Sequence, residues 1–250
     1  MVVSLTTVVG KYPVSRFAVI LAAAGKSSRF DHPHHKKVYA SLAGAPLWTL
    51  AAGVFARHPG MAQMILVIAA EDREMFNEKY AATAAMMGVQ VVLGGRQRAE
   101  SVLNGLREVR SDIPLVAIHD AARPCIATAW IDAVLAAANK TGAAILATPC
   151  HATLKRARPD QSIEQTLSRE RVWLAQTPQV FRRQLLLDAY AEHPQPAAAT
   201  DDAAIVEAYG AVVQLVEGSP LNIKVTTQAD MKFAQLALQA LPKSNPFPFA

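Results

Sequence analysis

A mostly parallel, doubly wound α/β sheet flanked by helices is predicted by three features of the sequence. Short apolar runs of Val, Ile, Leu and Ala recur along the chain, continuous rather than alternating, as suits strands covered on both faces. Helical segments separate them, which is the pattern of βαβ units. The glycine-rich and charged stretches then fall at the ends of strands, where such sheets gather their ligands.

The first strand is Phe17 to Leu21. A helix is expected from Pro46 to Arg57, a strand from Gln63 to Ala69, a helix from Asp72 to Met87 and a short strand from Gln90 to Leu93. The segment Gly94 to Val102 runs into a helix ending near Val109. Leu115–Asp120 reads as a strand, Thr128–Lys140 as a helix and Ala143–Pro149 as a strand. The rhythm breaks at Cys150. His151 to Thr166 is polar and β-leaning, with a turn at Arg158 to Ser162, and reads as a β-hairpin arm. Such arms reach partner subunits, so a homodimer is one reading and a surface insertion the other. Thr177–Phe181 returns to the core, and Arg182–Glu192 is helical. Pro194–Ala199 is a loop, and Thr200-Asp201-Asp202 starts a helix with acid in its first turn. Val212–Glu217 is a strand, Asn222–Thr226 an extended piece and Ala229–Leu241 the last helix. Residues 1–16 form an N-terminal extension and 243–250 a disordered tail, leaving 17–242 as one domain with its arm at about 150–173.

Composition narrows the function. The chain has 250 residues, of which 52% are hydrophobic, enough for a sizeable core. No stretch is long and apolar enough to span a bilayer, and the N-terminus lacks the form of a signal peptide. The two cysteines, Cys125 and Cys150, sit in no metal or redox spacing, so a reduced, cytoplasmic protein is expected. The net charge of +5 is mild and lacks the basic blocks of a nucleic-acid binder. A small polyanion suits it better, because the basic residues cluster near strand ends.

The strongest such cluster follows the first strand. Ala22-Ala-Ala-Gly25 lets a ligand approach the backbone, whose N–H groups can converge on an anion. Lys26, Arg29, Lys36 and Lys37 add positive charge. A solvated basic loop is the competing reading. Gly25-Lys26-Ser27 resembles the end of a P-loop, but that motif needs a glycine where Ile20 stands, so a Walker-type ATPase is excluded. The dinucleotide fingerprint fails for want of its second and third glycines. In His119-Asp120-Ala-Ala-Arg123-Pro124, Asp120 is placed to hold Mg²⁺ together with phosphate oxygens, and Arg123 to fork onto a phosphate. The alternative is a structural Asp–Arg pair. His32, His34 and His35 read as solvated loop residues rather than metal ligands.

Six separated motifs agree in order: Ala23-Ala24-Gly25-x-x-x-Arg29, Lys37-x-Tyr39, the Gly94–Leu106 segment, His119–Pro124, Thr177-Pro-Gln179 and Asn222-Ile-Lys-Val-Thr226. Together, over about residues 17 to 240, they resemble the 2-C-methyl-D-erythritol 4-phosphate cytidylyltransferase family of the non-mevalonate isoprenoid pathway. The resemblance implies a Rossmann-like nucleotidyltransferase fold, a homodimer joined through the arm, and a divalent cation, Mg²⁺ or another. The implied substrates are CTP and methylerythritol phosphate. Arg29 and Lys37 match the cations that stabilise the transition state. Arg169 and Lys224 match residues that position the second substrate's phosphate, with Thr153 and Arg169 coming from the partner's arm. Ala23, Ala24, Gly25, Lys26, Gly94, Gly95, Arg98, Ser101, Asp120 and Ala121 match the CTP site, and Asp120 and Arg123 the region near metal and acceptor. The likeness ends near Leu241, leaving no length for the cyclase domain fused in some relatives. Departures stand at Ser27 (usually glycine), Lys36 and Val38 (usually proline and glutamine), and Ala152 and Leu221 (usually aspartate). They keep two alternatives open: a ribitol 5-phosphate or other polyol phosphate cytidylyltransferase, and a weakly active nucleotide-binding paralogue.

Overall fold

The structure, a computed structural model, describes residues 16–30 and 36–242. The extension before Arg16, the tail after Pro242 and the histidine loop at 31–35 lie outside the described residues.

The chain opens with β1 (Phe17–Ala22), followed by a two-residue hairpin, β2 (Ser41–Leu42) and β3 (Ala45–Pro46), and α1 (Leu47–Ala56). Next come β4 (Met61–Ile68), α2 (Arg73–Met86), β5 (Val89–Leu93), α3 (Arg98–Arg107), β6 (Leu115–Asp120), α4 (Thr128–Thr141) and β7 (Ala143–Pro149). The arm is β8 (Leu154–Ala157) and β9 (Ile163–Leu167), paired antiparallel to each other. The remainder is β10 (Trp173–Arg182), α5 (Arg183–Glu192), α6 (Asp202–Ala208), β11 (Gln214–Glu217) and α7 (Gln228–Ala240).

Seven strands form the main sheet in the order β11-β7-β10-β6-β1-β4-β5. All neighbouring pairs are parallel except those of β10, which runs antiparallel to both β6 and β7. β1 sits between β4 and β6, with Ala22 opposite Val67 on one side and Asp120 on the other. The carboxyl ends of β1 and β6 therefore lie together, and each feeds a marked loop.

Alternate residues of β1 serve opposite faces. Phe17, Val19 and Leu21 join Trp48, Phe55 and Phe76 in one cluster, which also takes Ile131 and Val134 from α4. Ala18 and Ile20 join Val102, Leu106, Leu186 and Ile205 on the other face. Helices cover both sides, which is why the strand sequences show no polar alternation. Each fully buried Phe or Leu here contributes about 1.5–3 kcal/mol relative to exposure. Gly105 allows α3 its close approach, since a Cβ there would lie 2.9 Å from Ile20 and 3.0 Å from Val67. A third cluster of Phe30, Leu42, Leu47, Cys125 and Val225 packs α7, through Ala234 and Ala237, beneath the loop that follows β1. Both cysteines are free and buried, and burial pushes the Cys125 thiol up to about 12.

The expected extended piece at Asn222–Thr226 forms no strand; it is tied to the core by the Val225 N–H on the Ala122 carbonyl at 2.8 Å. Asp201 caps α6 by accepting from the Ala204 N–H, as its place in Thr200-Asp201-Asp202 predicts. The arm turn is also where the sequence puts it, with the Arg158 N–H on the Ser162 carbonyl at 2.9 Å. No described helix is long and apolar enough to cross a membrane.

Candidate active site

The turn after β1 supplies the first wall. Ala23 donates its N–H to the Val67 carbonyl at 2.9 Å, which carries the chain past the sheet edge, and Gly25 faces open space. Ser27 has φ +55°, and its carbonyl accepts the Phe30 N–H at 2.9 Å. Its hydroxyl accepts the Lys37 N–H at 3.2 Å. Lys37 opens a short 3₁₀ turn, Lys37–Tyr39. Burial, with the like charges of Lys224 and Arg29 added, lowers the Lys37 pKa from its usual value.

The second wall is the loop entering α3. The Ser101 hydroxyl accepts the Gly95 N–H at 3.1 Å and donates to the Gln97 carbonyl at 2.9 Å, while Glu100 accepts the Arg96 N–H at 2.7 Å. A Cβ on Gly94 would lie 2.7 Å from both the Ala24 Cβ and the Ser101 Oγ. Glycine at 94 is what lets the two walls approach so closely.

Asp120, at the end of β6, is the floor. Its Oδ2 lies 2.7 Å from Lys224 Nζ and 3.6 Å from Arg123 Nε, and its Oδ1 lies 3.8 Å from Arg98 Nε. Burial alone would raise its pKa; the charges of Lys224, Arg98 and Arg123 outweigh that and hold the carboxyl well below the usual range. Arg98 also binds the buried Asp202 at 2.7 Å, and Asp202 accepts from the Tyr190 hydroxyl at 2.7 Å. Burial would lower the Arg98 pKa, but Asp202 and Asp120 raise it, so this guanidinium is a fixed charge. Arg123 donates to the Asn222 carbonyl at 2.6 Å.

Behind Asp120 a buried relay sets the backbone. Thr177 Oγ1 accepts the Asp120 N–H at 3.0 Å and faces His119 Nδ1 at 3.0 Å. His119 Nε2 faces the Arg123 carbonyl at 3.0 Å, which can only accept, so Nε2 carries the proton and Thr177 donates to Nδ1. Burial lowers the His119 pKa to about 4, and the ring is neutral at pH 7.

A cavity of about 250 Å³ lies between these walls, lined by Ala24, Gly25, Lys26, Lys37, Gly95, Arg98, Ser101, Asp120 and Lys224. A second, of about 260 Å³, opens on the far side of Asp120 among Arg98, Arg123, Thr177, Gln179, Asp201 and Lys224. The Ser27, Lys36 and Val38 departures thus sit around Lys37 at the first cavity's edge, with Val38 buried in its lining. Among the described residues, Asp120 is the first cavity's one lining carboxylate, and no cluster of three or more His, Cys, Asp or Glu occurs. That donor set fits a hard cation held mainly by a ligand's phosphates, with at most one protein carboxylate, as Mg²⁺ prefers.

Most of the sequence-predicted residues meet here. Gly94 buttresses the wall from behind, and Ala23 and Ala121 are buried supports, Ala121 donating its N–H to the Ala22 carbonyl at 3.1 Å. Arg29 is exposed at the rim, close enough to act on the Lys37 charge. Thr153 and Arg169 do not meet the rest: both are exposed on the arm, line neither cavity, and Arg169 donates to the His151 carbonyl. The structure adds Thr177, Gln179, Asp202 and Glu100. Gln179 accepts the N–H groups of Asp202 and Ala203, at 3.1 and 3.0 Å, which docks the start of α6 against the site. The Thr-Pro-Gln and Thr-Asp-Asp triplets were the available signals for three of the four.

Cations converge on this cavity, and among the described residues no nucleophile–base pair faces it. Such a site works by placing phosphates, and the fold and site together define a nucleotidyltransferase. The sequence model of the family described as 2-C-methyl-D-erythritol 4-phosphate cytidylyltransferase matches residues 17–240. The enzyme of that name from Rhodopirellula baltica is 40% identical over 232 residues, covering 88% of this chain and 94% of its own length. Its counterpart from Pelotomaculum thermopropionicum is 37% identical over 229 residues, covering 91% and 96%. The solved structure of the Francisella tularensis enzyme superposes with a TM-score of 0.76 at 29% identity, covering 90% of this chain and all of that one. The chain belongs to the 2-C-methyl-D-erythritol 4-phosphate cytidylyltransferase family.

Proposed function

We propose that the protein transfers CMP from CTP to 2-C-methyl-D-erythritol 4-phosphate. The products are 4-diphosphocytidyl-2-C-methyl-D-erythritol and pyrophosphate, in isoprenoid precursor biosynthesis, and residues 17–242 act as one catalytic domain. The observation that carries the reading is the pair of cavities sharing Asp120, Arg98 and Lys224, with Lys37 at the inner edge of the first. CTP occupies the first cavity. Its base meets the Gly94–Ser101 loop and its phosphates meet the Ala23–Lys26 turn. The acceptor's phosphate enters from the second cavity, drawn by Lys224 and Arg123.

An acceptor phosphate oxygen then attacks the α-phosphorus in line, the bond to the bridging oxygen breaks, and pyrophosphate leaves. Negative charge builds on the α-phosphoryl oxygens. Lys37 and Arg29 meet it as fixed cations, so catalysis rests on position and charge rather than on covalent chemistry. Lys37 feels the like charges of Lys224 and Arg29 in the free site, and the negative charge of an arriving phosphate offsets that repulsion. Asp120 would hold a divalent cation together with CTP's phosphates, and the cation would supply charge neutralisation at the triphosphate. Thr153 and Arg169 reach an active site only across a homodimer, each arm completing the partner's acceptor pocket. No step calls for a nucleic acid or a membrane, and the setting is cytoplasmic.

Pyrophosphate release from CTP with Mg²⁺ tests the reading, run in parallel with methylerythritol phosphate and ribitol 5-phosphate. Turnover with the first alone is expected. Turnover with the second alone would move the protein to polyol nucleotide metabolism. CTP binding without turnover on either would mark a paralogue weakened by its departures.

A further inference from the structure

Two of the residues that depart from the family pattern flank Lys37, and both have partners. Ser27 holds a backbone conformation, φ +55°, that costs a residue with a Cβ energy glycine avoids. Its hydroxyl accepts the Lys37 N–H at 3.2 Å. Lys36 does not reach toward the cavity. Its Nζ lies 2.7 Å from Glu71 Oε1 and 3.0 Å from Asp72 Oδ2, and its side chain is only 17% exposed. Asp72 accepts in turn from the Tyr39 hydroxyl at 3.3 Å. Lys37 is thus tied through its own N–H and through the residues at 36 and 39.

The ties matter because the ammonium is in a crowded field of charges. The Lys37 ammonium is partly desolvated and sits between the like charges of Lys224 and Arg29 and the opposite charges of Asp120 and Asp230, with burial and the like charges prevailing. Where the ammonium stands therefore depends on where the backbone of the 36–39 turn is held.

We infer that Ser27 is a positioning residue for Lys37: its hydroxyl, with the Lys36–Asp72 pair on the other flank, holds the 36–39 turn so that the lysine is in place before the α-phosphate charge develops. The inference rests on the role given to Lys37 above. On this view serine at 27 supplies a hydrogen bond that glycine lacks, in exchange for backbone strain.

Steady-state kinetics on Ser27→Gly, Lys36→Met, Lys37→Ala and the Ser27→Gly/Lys37→Ala double variant test it. Ser27→Gly should lower kcat by roughly fivefold to tenfold, the factor one hydrogen bond's net worth corresponds to, and leave KM for CTP within about twofold. Its Tm should hold or rise, because the strain is gone. Lys36→Met should show the same split between kcat and KM. In the Lys37→Ala background Ser27→Gly should cost nothing further. Unchanged kcat in Ser27→Gly, matched changes in kcat and KM, or an equal loss without Lys37 would each overturn the inference. Full turnover by Lys37→Ala alone would instead remove the reading of Lys37, and the inference with it.

Discussion

Asp120→Asn isolates the charge at the centre of the site, because it keeps the side chain's shape. In the wild type a carboxylate with 10% side-chain exposure balances Lys224 at 2.7 Å, Arg123 at 3.6 Å and Arg98 at 3.8 Å. Arg98 keeps a second partner in Asp202; the other two have no further carboxylate within 4.0 Å among the described residues. Removing one member of a buried pair costs about 3–5 kcal/mol, and water around Lys224, 41% exposed, sets the figure at the lower end, near 3. For a chain of this size that lowers Tm by about 6–12 °C. The pH dependence has a fixed sign. The folded-state pKa of Asp120 is depressed, so its contribution is complete above the unfolded value of about 4 and is lost as pH falls toward the folded value. The gap between wild type and variant is therefore full at neutral pH and closes in acid. Saturating CTP without added metal should also narrow the gap, since the triphosphate takes over as counter-ion. Differential scanning fluorimetry across pH, with and without CTP, reads all three. A Tm within about 2 °C of wild type at neutral pH, or a gap unchanged in acid, would refute the account of Asp120 as the site's counter-charge.

Gly94→Ala forces a Cβ to 2.7 Å from Ala24 and Ser101, which should cost about 1–3 kcal/mol in thermal unfolding and raise KM for CTP. Gly25→Ala meets nothing within 4 Å and should unfold at the wild-type temperature. Mixed Lys37→Ala and Arg169→Ala subunits should recover activity that neither variant has alone, read as pyrophosphate release after co-refolding. No recovery would mean the arm arginine serves its own chain.

Legibility in the sequence followed the strength of local signals. Leu115–Asp120 is covered throughout and Ala143–Pro149 up to its last residue, and their continuous apolar runs give the observed bounds directly. β10 begins at Trp173, ahead of the expected Thr177, because Trp173–Ala175 pairs with β7 while exposed, and the polar Gln176-Thr177 stretch separates it from the buried apolar part. Its direction was hidden, since side-chain alternation is the same for parallel and antiparallel pairing. The β2–β3 hairpin escaped because two-residue strands carry no period; its turn puts Ala43 at φ +50° beside Gly44. The loops of the site were legible because each ends a strand. The partners that fix their charges were not: Arg98 finds Asp202, and Lys36 finds Asp72, only once the chain has folded. Lys36 shows how a departure from a motif can carry an interaction that the motif never needed.

β10 belongs to two bodies at once. Trp173–Ala175 pairs with the end of β7 next to the arm, and Gln179–Arg182 lies inside the sheet between β6 and β7. The ladder lapses between Ala175 and Gln179, and from that gap Thr177 takes the Asp120 N–H and Asn222 reaches the Thr177 carbonyl at 2.8 Å. The arm's own strands, β8 and β9, form a separate sheet and join β10 through residues 168–172, which lie outside any strand. The first fixed point after the arm is therefore Trp173–Ala175, on the same strand whose Thr177 holds the Asp120 backbone. The loop at 168–172 separates the arm's orientation from the charged centre, and β10 anchors the base of that loop to the site.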